Sequence, residues 1–196
     1  YKLKSFITVK EFKEQLEYLI NEYNIICSSE INNFIINNGK YAILTFDDGL
    51  LDHYHVASIL NDLGLTGTFL IPTQAVRDRV IISSHKIQFL LASIDEKELV
   101  KRILNLTPSY ISNKYLWEKY SVSKWKNNWW TSEMVFVTNF LRYQDKWNIT
   151  NSLFNTIVTE DEVGFCDDFY LNENLISEMV LAGHEIGGHG FLSAPL

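Results

Sequence analysis

The sequence predicts a mixed α/β fold with a parallel sheet, and three segments in succession indicate it. A short apolar run at residues 41–46 is followed by apolar residues at helical spacing and then by a second apolar run, residues 67–71, that stops at Pro72. Strand, helix and strand within about 30 residues form a βαβ unit, whose two strands lie parallel. With 196 residues, of which 46% are hydrophobic, the chain is long enough to bury a sizeable core.

The first helices and turns follow from spacing and capping. Residues 9–23 are predicted to form an amphipathic helix, because Thr8 and Glu11 match a capping box and apolar residues then recur at helical spacing. The turn signal Asn-Asn-Gly at residues 37–39 precedes the first strand. Gly64 is expected to end the helix between the two strands.

The middle of the chain, residues 74–168, differs from this pattern because it is long, helical in spacing and rich in Lys, Asn and Trp. Helices are predicted within residues 87–104, 134–143 and 148–158. We expect the whole region to be an insertion packed beside the sheet, so that residues 1–196 form a single domain with a largely helical insertion.

The alternating order resumes near residue 172. Asn172 is predicted to cap a helix that Gly183 ends, and residues 184–189, HEIGGH, read as a strand running into a loop. Strands covered on both faces should be buried. The predicted core of the fold is therefore Ile43, Leu44, Phe46, Leu60, Leu63, Phe69, Ile71 and Ile186.

Two adjacent aspartates, Asp47 and Asp48, follow the first predicted strand. In parallel α/β folds the carboxyl ends of the strands line the active site. Two close carboxylates repel each other unless a cation neutralises them, and a divalent metal can bind one while the other acts as a base. A plain Asp-Asp-Gly turn is the alternative for this motif alone.

His189 stands at a second predicted strand end, after two glycines. Histidine is the commonest nitrogen ligand of zinc, so it is a candidate partner of the aspartates. The motif is not the HExxH of metalloproteases, because His184 and His189 are five residues apart rather than four. A phosphohydrolase with an aspartate nucleophile is also disfavoured, since such enzymes use aspartates two residues apart.

Taken together, LTFDDG, GTFLIP and GHEIGGH resemble the metal-dependent polysaccharide deacetylases of the carbohydrate esterase class. The resemblance covers roughly residues 6–72 and 170–196. It implies a distorted β/α barrel, of which this chain holds the N-terminal part, so we expect the barrel to be incomplete here. The implied reaction removes N-acetyl or O-acetyl groups from an amino-sugar polysaccharide or glycan.

The resemblance also implies a role for each site residue. Asp47 matches the general base, whereas Asp48 and His189 match ligands of a divalent metal, with zinc the expected ion. Ser193 occupies the position of the family's second metal histidine, and the later motifs that supply an arginine and a histidine acid have no counterpart. A catalytically degenerate carbohydrate-binding or scaffold protein of the same fold is therefore the alternative. His53, His55, His85 and His184 are the other histidines that could replace the missing ligand, although we expect each of them to have a different role.

The amino-acid composition limits which binding partners are expected. The net charge of −7 argues against nucleic acid as a partner. The sequence contains no apolar run of about 18 residues, so no membrane span is predicted. The compartment stays open between the cytoplasm and the cell envelope. Aromatic density beside a predicted sugar site suggests that some tryptophans flank the substrate cleft, with core packing as the alternative. The tryptophans concerned are Trp117, Trp125, Trp129 and Trp130.

Overall fold

The computed structural model describes residues 6–34, 39–122, 130–143 and 146–190. The chain divides into two compact units, which we call the sheet unit and the helical unit. The sheet unit consists mainly of residues 5–80 and 163–191, and the helical unit mainly of residues 81–162. The described ends of the predicted insertion, residues 74–80 and 163–168, therefore cluster with the sheet. Whether the two units form one domain with an insertion stays a prediction.

Five strands form two parallel sheets in the described part of the chain. Strands β1 (Asn24–Ile25) and β2 (Tyr41–Ala42) make one pair. Strands β3 (Thr45–Asp47), β4 (Thr68–Ile71) and β5 (Glu185–Gly188) make a three-stranded sheet with β4 in the centre. The predicted mixed α/β fold with parallel strands is thus confirmed. Within these described residues the two sheets do not close into a barrel.

The α-helices are short and most lie between β4 and β5 in the sequence. In chain order they are α1 (Val9–Glu22), α2 (Ile31–Phe34), α3 (Asp52–Asp62), α4 (Thr73–Asp78), α5 (Ser83–Ser93), α6 (Glu96–Leu106), α7 (Asn113–Tyr120), α8 (Ser132–Leu141), α9 (Trp147–Ile157), α10 (Glu162–Asp167) and α11 (Glu173–Leu181). Two predicted caps are confirmed: Thr8 and Glu11 form the capping box of α1, and the Asn172 side chain accepts a hydrogen bond from Leu175 N–H.

The predicted strand at residues 41–46 is in fact two strands, β2 and β3, which belong to different sheets. Residues 43 and 44 lie between them, and the Leu44 carbonyl accepts a hydrogen bond of 2.9 Å from Thr68 N–H. The chain therefore crosses from the first sheet to the second within one apolar run. A run of apolar residues carries no signal for such a crossing, because the same residue types occur in strands of either sheet.

The core of the sheet unit gathers residues from β3, β4, α1, α3 and α11. Burial of Leu44, Leu60, Phe69 and Ile71 is confirmed, whereas Ile43, Phe46 and Ile186 are half-buried. The Phe46 and Phe69 rings stack with their centroids 4.9 Å apart.

The prediction for Leu63 is wrong, because its side chain is 49% exposed. Helix α3 ends at Asp62, so Leu63 lies in the turn that follows the helix and not on its buried face. Gly64, with a φ of 67°, continues that turn and donates its N–H to the Asn61 carbonyl. The helical spacing of apolar residues continues to Leu63, but the helix itself ends one residue earlier.

The helical unit has a hydrophobic core of its own, built largely from α5, α6, α8 and α9. The predicted helical stretch at residues 87–104 is two helices, since α5 ends at Ser93 and Asp95 caps α6 by accepting from Lys97 and Glu98 N–H.

Trp117 packs on the core of the helical unit and stacks on Phe136 with a centroid distance of 5.4 Å. That contact favours the core-packing alternative for Trp117, while Trp125 and Trp129 lie outside the described residues. Trp130 is half-buried at the start of α8.

Candidate functional site

The aspartate pair lies in a tight turn at the carboxyl end of β3. Asp48 has a φ of 75° and Gly49 a φ of 60°, so both central residues of the turn are left-handed, as in type I′ turns. Asp-Gly is a favoured dipeptide there, because aspartate tolerates this conformation better than most residues and glycine adopts it freely. Because of the turn, the Asp48 side chain does not follow the alternating side-chain directions of strand β3.

A neighbouring segment of the sheet unit holds this turn in place. Leu171 N–H donates to the Gly49 carbonyl and Leu51 N–H donates to the Phe169 carbonyl, both at 2.9 Å. Leu50 and Tyr170 form an isolated antiparallel bridge between these two bonds. The position of the two carboxylates is therefore set by backbone hydrogen bonds on the far side of the turn.

His189 reaches the same place from the other edge of the sheet. It follows β5 directly, and its N–H donates to the carbonyl of Ile71, the last residue of β4, at 2.9 Å. Strands β3 and β5 flank β4, so they stand two strand spacings, about 10 Å, apart. The aspartate and histidine side chains therefore meet across the end of the central strand.

The imidazole of His189 lies between the two carboxylates. Its Nδ1 is 3.3 Å from Asp48 Oδ1, and its Nε2 is 3.6 Å from Asp47 Oδ2. Exposure of the side chains is 28% for Asp48, 34% for His189 and 57% for Asp47, so the group is open to solvent on the Asp47 side. The structure thus brings together all three residues that the sequence singled out, while their roles stay predictions.

The spacing of Asp48 and His189 fits two ligands of one zinc ion. His189 Nδ1 has no hydrogen-bond partner among the described residues, although it lies 3.3 Å from a carboxylate oxygen. Two donor atoms bound tetrahedrally at 2.0–2.1 Å stand about 3.3 Å apart. The two nitrogens of one imidazole point in different directions, so Asp47, which faces Nε2, is not positioned to bind an ion held by Nδ1.

A third ligand is not found in the part of the chain that the structure describes, where no group of three His, Cys, Asp or Glu side chains is arranged to hold a metal. Ser193 lies outside the described residues. His184 is committed elsewhere: its Nδ1 accepts from Gly67 N–H and its Nε2 donates to the Ala57 carbonyl, both at 3.2 Å. Burial lowers the pKa of His184, and the bond to Ala57 opposes that shift, so its imidazole is neutral at neutral pH.

The remaining histidines are placed as follows. His55 is exposed on α3, and His85 is buried in the helical unit. The His53 ring lies 5.9 Å from the Phe46 ring and 5.8 Å from the Phe69 ring, measured between centroids. The His53 ring therefore packs near two aromatic rings of the sheet unit.

Glu185, the second residue of HEIGGH, is a carboxylate that the sequence reading left without a role. It accepts hydrogen bonds from Ser28 N–H at 2.9 Å, Ser29 N–H at 3.2 Å and the Thr68 hydroxyl at 2.9 Å, and also from both serine hydroxyls. Desolvation raises the pKa of Glu185, but these hydrogen bonds outweigh it and bring the pKa down to about 2. The sequence carried a signal for this, because a carboxylate at the start of a half-buried strand needs hydrogen-bond donors.

We predict that Glu185→Gln lowers the free energy of unfolding at neutral pH by about 2 kcal/mol, because an amide replaces a charged acceptor of several hydrogen bonds. The carboxylate has a pKa of about 2 when folded against 4.5 ordinarily, so its stabilisation is complete above about pH 4.5 and is lost as the pH falls toward 2. Urea unfolding of the two proteins at neutral pH and at about pH 3 measures this. Glu17→Gln, on the exposed face of α1, is the control. An equal deficit at both pH values would contradict the assignment.

The aspartate turn gives a second stability prediction. Alanine at Gly49 would sit at a φ of 60° with its Cβ only 3.0 Å from Ile71 Cγ2, whereas alanine at Gly64 would sit at a φ of 67° with nothing within 4 Å. The left-handed backbone alone costs roughly 1–2 kcal/mol. We expect Gly49→Ala to destabilise by about 1 kcal/mol more than Gly64→Ala, because Ile71 must shift. Equal thermal or urea midpoints for the two variants would show that the turn has room to relax.

Comparisons of the chain with protein-family models, with curated proteins and with solved structures give no match. The deacetylase family, the carbohydrate substrate and zinc therefore stay predictions from the sequence motifs. Among the described residues, no helix has both the length and the apolar character needed to cross a membrane.

Proposed function

We propose that this protein is a metal-dependent hydrolase that removes N-acetyl or O-acetyl groups from an amino-sugar polysaccharide or glycan. The observation that carries the proposal is the meeting of Asp47, Asp48 and His189 at the carboxyl end of a parallel sheet. Catalytic residues of parallel α/β enzymes cluster at that end. We also propose that the three-stranded sheet is part of a distorted β/α barrel.

Asp48 Oδ1 and His189 Nδ1 would hold the divalent ion, since their 3.3 Å separation suits two zinc ligands and Nδ1 lacks a hydrogen-bond partner among the described residues. When bound, the ion would lower the pKa of water and polarise the acetyl carbonyl. The turn at Asp48 and the bond from His189 N–H to Ile71 pre-set both side chains, so little reorganisation accompanies binding.

Asp47 is the proposed base. Its carboxylate is the most exposed of the three site side chains and lies 3.6 Å from His189 Nε2. During hydrolysis of an N-acetyl group, a water adds its oxygen to the carbonyl carbon and gives one proton to Asp47. The C–N bond then breaks, the nitrogen takes up a proton to leave as the amine, and acetate is released.

A carbohydrate-binding or scaffold protein of the same fold is the second candidate. The observation that favours it is Ser193, which stands where the family resemblance implies a second metal histidine. A zinc site with two protein ligands must fill its remaining positions with water, which weakens binding. The two candidates differ in catalysis, because only the first predicts release of acetate.

The experiment that tests the proposal measures acetate release from an N-acetylated glucosamine oligomer, with zinc added and with zinc removed by a chelator. The deacetylase proposal predicts zinc-dependent release. Binding of the oligomer without release under both conditions would support the scaffold candidate and contradict the enzyme.

We predict that Ser193→His tightens zinc binding at least tenfold, because the change restores the histidine that the family resemblance places there. Changes around a metal ligand alone alter affinity by about 10–100-fold, so a restored ligand should have at least that effect. Zinc titration of the two proteins measures it. Equal affinities would mean that another residue already supplies the third ligand.

A further inference from the structure

A second concave site lies in the sheet unit, apart from the aspartate–histidine group. It is an open pocket of about 490 Å³ between α4 and the segment that leads from α10 into α11. The volume falls within the range of small-ligand sites. Helix α4 begins two residues after β4 ends, so one wall of the pocket starts from the end of the sheet at which Asp47 lies. We call it the α4–α11 pocket.

The lining of this pocket has an apolar floor and a polar rim. Four of the lining residues are almost fully buried, and they are Ala75, Cys166, Tyr170 and Leu171. The rim carries charged and amide side chains, namely Arg79, Asp167, Asn172, Glu173 and Asn174. A floor for the apolar face of a ligand and a few polar groups for its hydroxyls are what a sugar ring requires.

The rim is pre-organised at Arg79. This residue has a φ of 52°, uncommon for a side chain of its size, and its guanidinium binds both carboxylate oxygens of Asp167, with Nε 2.9 Å from Oδ1. A bidentate pair of this kind fixes both groups in one plane. Strained backbone conformations of this kind cluster at ligand sites.

The charge of the lining selects among ligands. One guanidinium is set against the two carboxylates of Asp167 and Glu173, so the pocket is net negative, as is the chain at −7. This balance disfavours phosphate or carboxylate ligands and favours neutral or cationic ones. Removal of an N-acetyl group leaves an amine, which is protonated at neutral pH.

The pocket is also joined to the aspartate turn. Tyr170 and Leu171 belong to its floor, and the same two residues bridge Leu50 and bond the Gly49 carbonyl. A ligand seated against them is therefore held by the segment that anchors the carboxylates. From these observations we infer that the α4–α11 pocket binds a glucosamine-type unit with a free amine. This inference rests on the proposed function for its substrate class.

The test is a binding measurement that needs no catalysis. Calorimetry of the whole chain with a fully deacetylated glucosamine tetramer should show binding, with the N-acetylated tetramer weaker. Glu173→Gln should weaken the deacetylated tetramer about tenfold, since one charge-assisted contact is lost. Asn174→Trp, an exposed rim position, should block both. The control Glu17→Gln makes the same charge change on α1 and should have no effect.

Asp48→Asn separates this inference from the proposed function, because it should abolish acetate release and leave tetramer binding intact. Binding without acetate release in the native protein would retain the pocket and contradict the enzyme. Acetate release with affinity unchanged by Glu173→Gln and Asn174→Trp would overturn the pocket assignment, as would absence of binding at millimolar tetramer.

Discussion

Asp47→Asn should lower the rate of acetate release by about 10²–10⁴-fold, the usual contribution of a positioned general base. The amide keeps the shape of the carboxylate but does not accept a proton. Because Asp47 faces Nε2 of His189 and Asp48 faces Nδ1, Asp47 is not a proposed ligand, and zinc affinity should fall by no more than the roughly 10–100-fold typical of a group beside a ligand. Initial rates at saturating zinc, together with a zinc titration, measure the two effects separately.

The control for this variant is Asp62→Asn, which makes the same chemical change at an exposed residue at the end of α3. Its rate should match that of the native protein. We expect Asp47→Asn to fold like the native protein, because the Asp47 side chain is more than half exposed. A loss of zinc affinity well beyond about 100-fold in Asp47→Asn would instead make Asp47 a metal ligand and contradict its role as the base.

His189→Ala should weaken zinc binding by at least about 100-fold and abolish acetate release. Asp48 and His189 are the two proposed ligands among the described residues, so losing the imidazole leaves Asp48 alone. Removing a supporting group near a metal costs 10–100-fold in affinity, and removing a ligand should cost at least the upper end of that range.

His55→Ala is the matched control, because it deletes an exposed imidazole from α3. Circular dichroism and the urea midpoint establish whether His189→Ala remains folded. Unchanged zinc affinity in a folded His189→Ala protein would place the ion elsewhere.

Local sequence signals predicted the order of the elements well. The capping box at Thr8 and Glu11, the cap at Asn172 and the apolar run ending at Pro72 each act within a few residues, and each appears in the structure. Signals of this range set where helices begin and strands end. They do not report which sheet a strand joins, so the division of residues 41–46 between two sheets was not predicted.

The candidate site was predicted because strand ends meet at one edge of a parallel sheet. That rule placed His189 beside Asp47 and Asp48, although His189 lies about 140 residues after the two aspartates in the sequence. It did not predict which imidazole nitrogen faces which aspartate, since that depends on the left-handed turn at Asp48. The sequence indicated that Glu185 needs hydrogen-bond donors, but it did not indicate that residues 28 and 29 supply them, because their proximity is a tertiary feature.

Anomalous diffraction at the zinc absorption edge, from crystals grown with zinc, would locate the proposed ion. We expect one strong peak 2.0–2.2 Å from both His189 Nδ1 and an Asp48 oxygen, with Asp47 beside the ion and unbound. A peak bound by other residues, or no peak between Asp48 and His189 at saturating zinc, would contradict the proposed site.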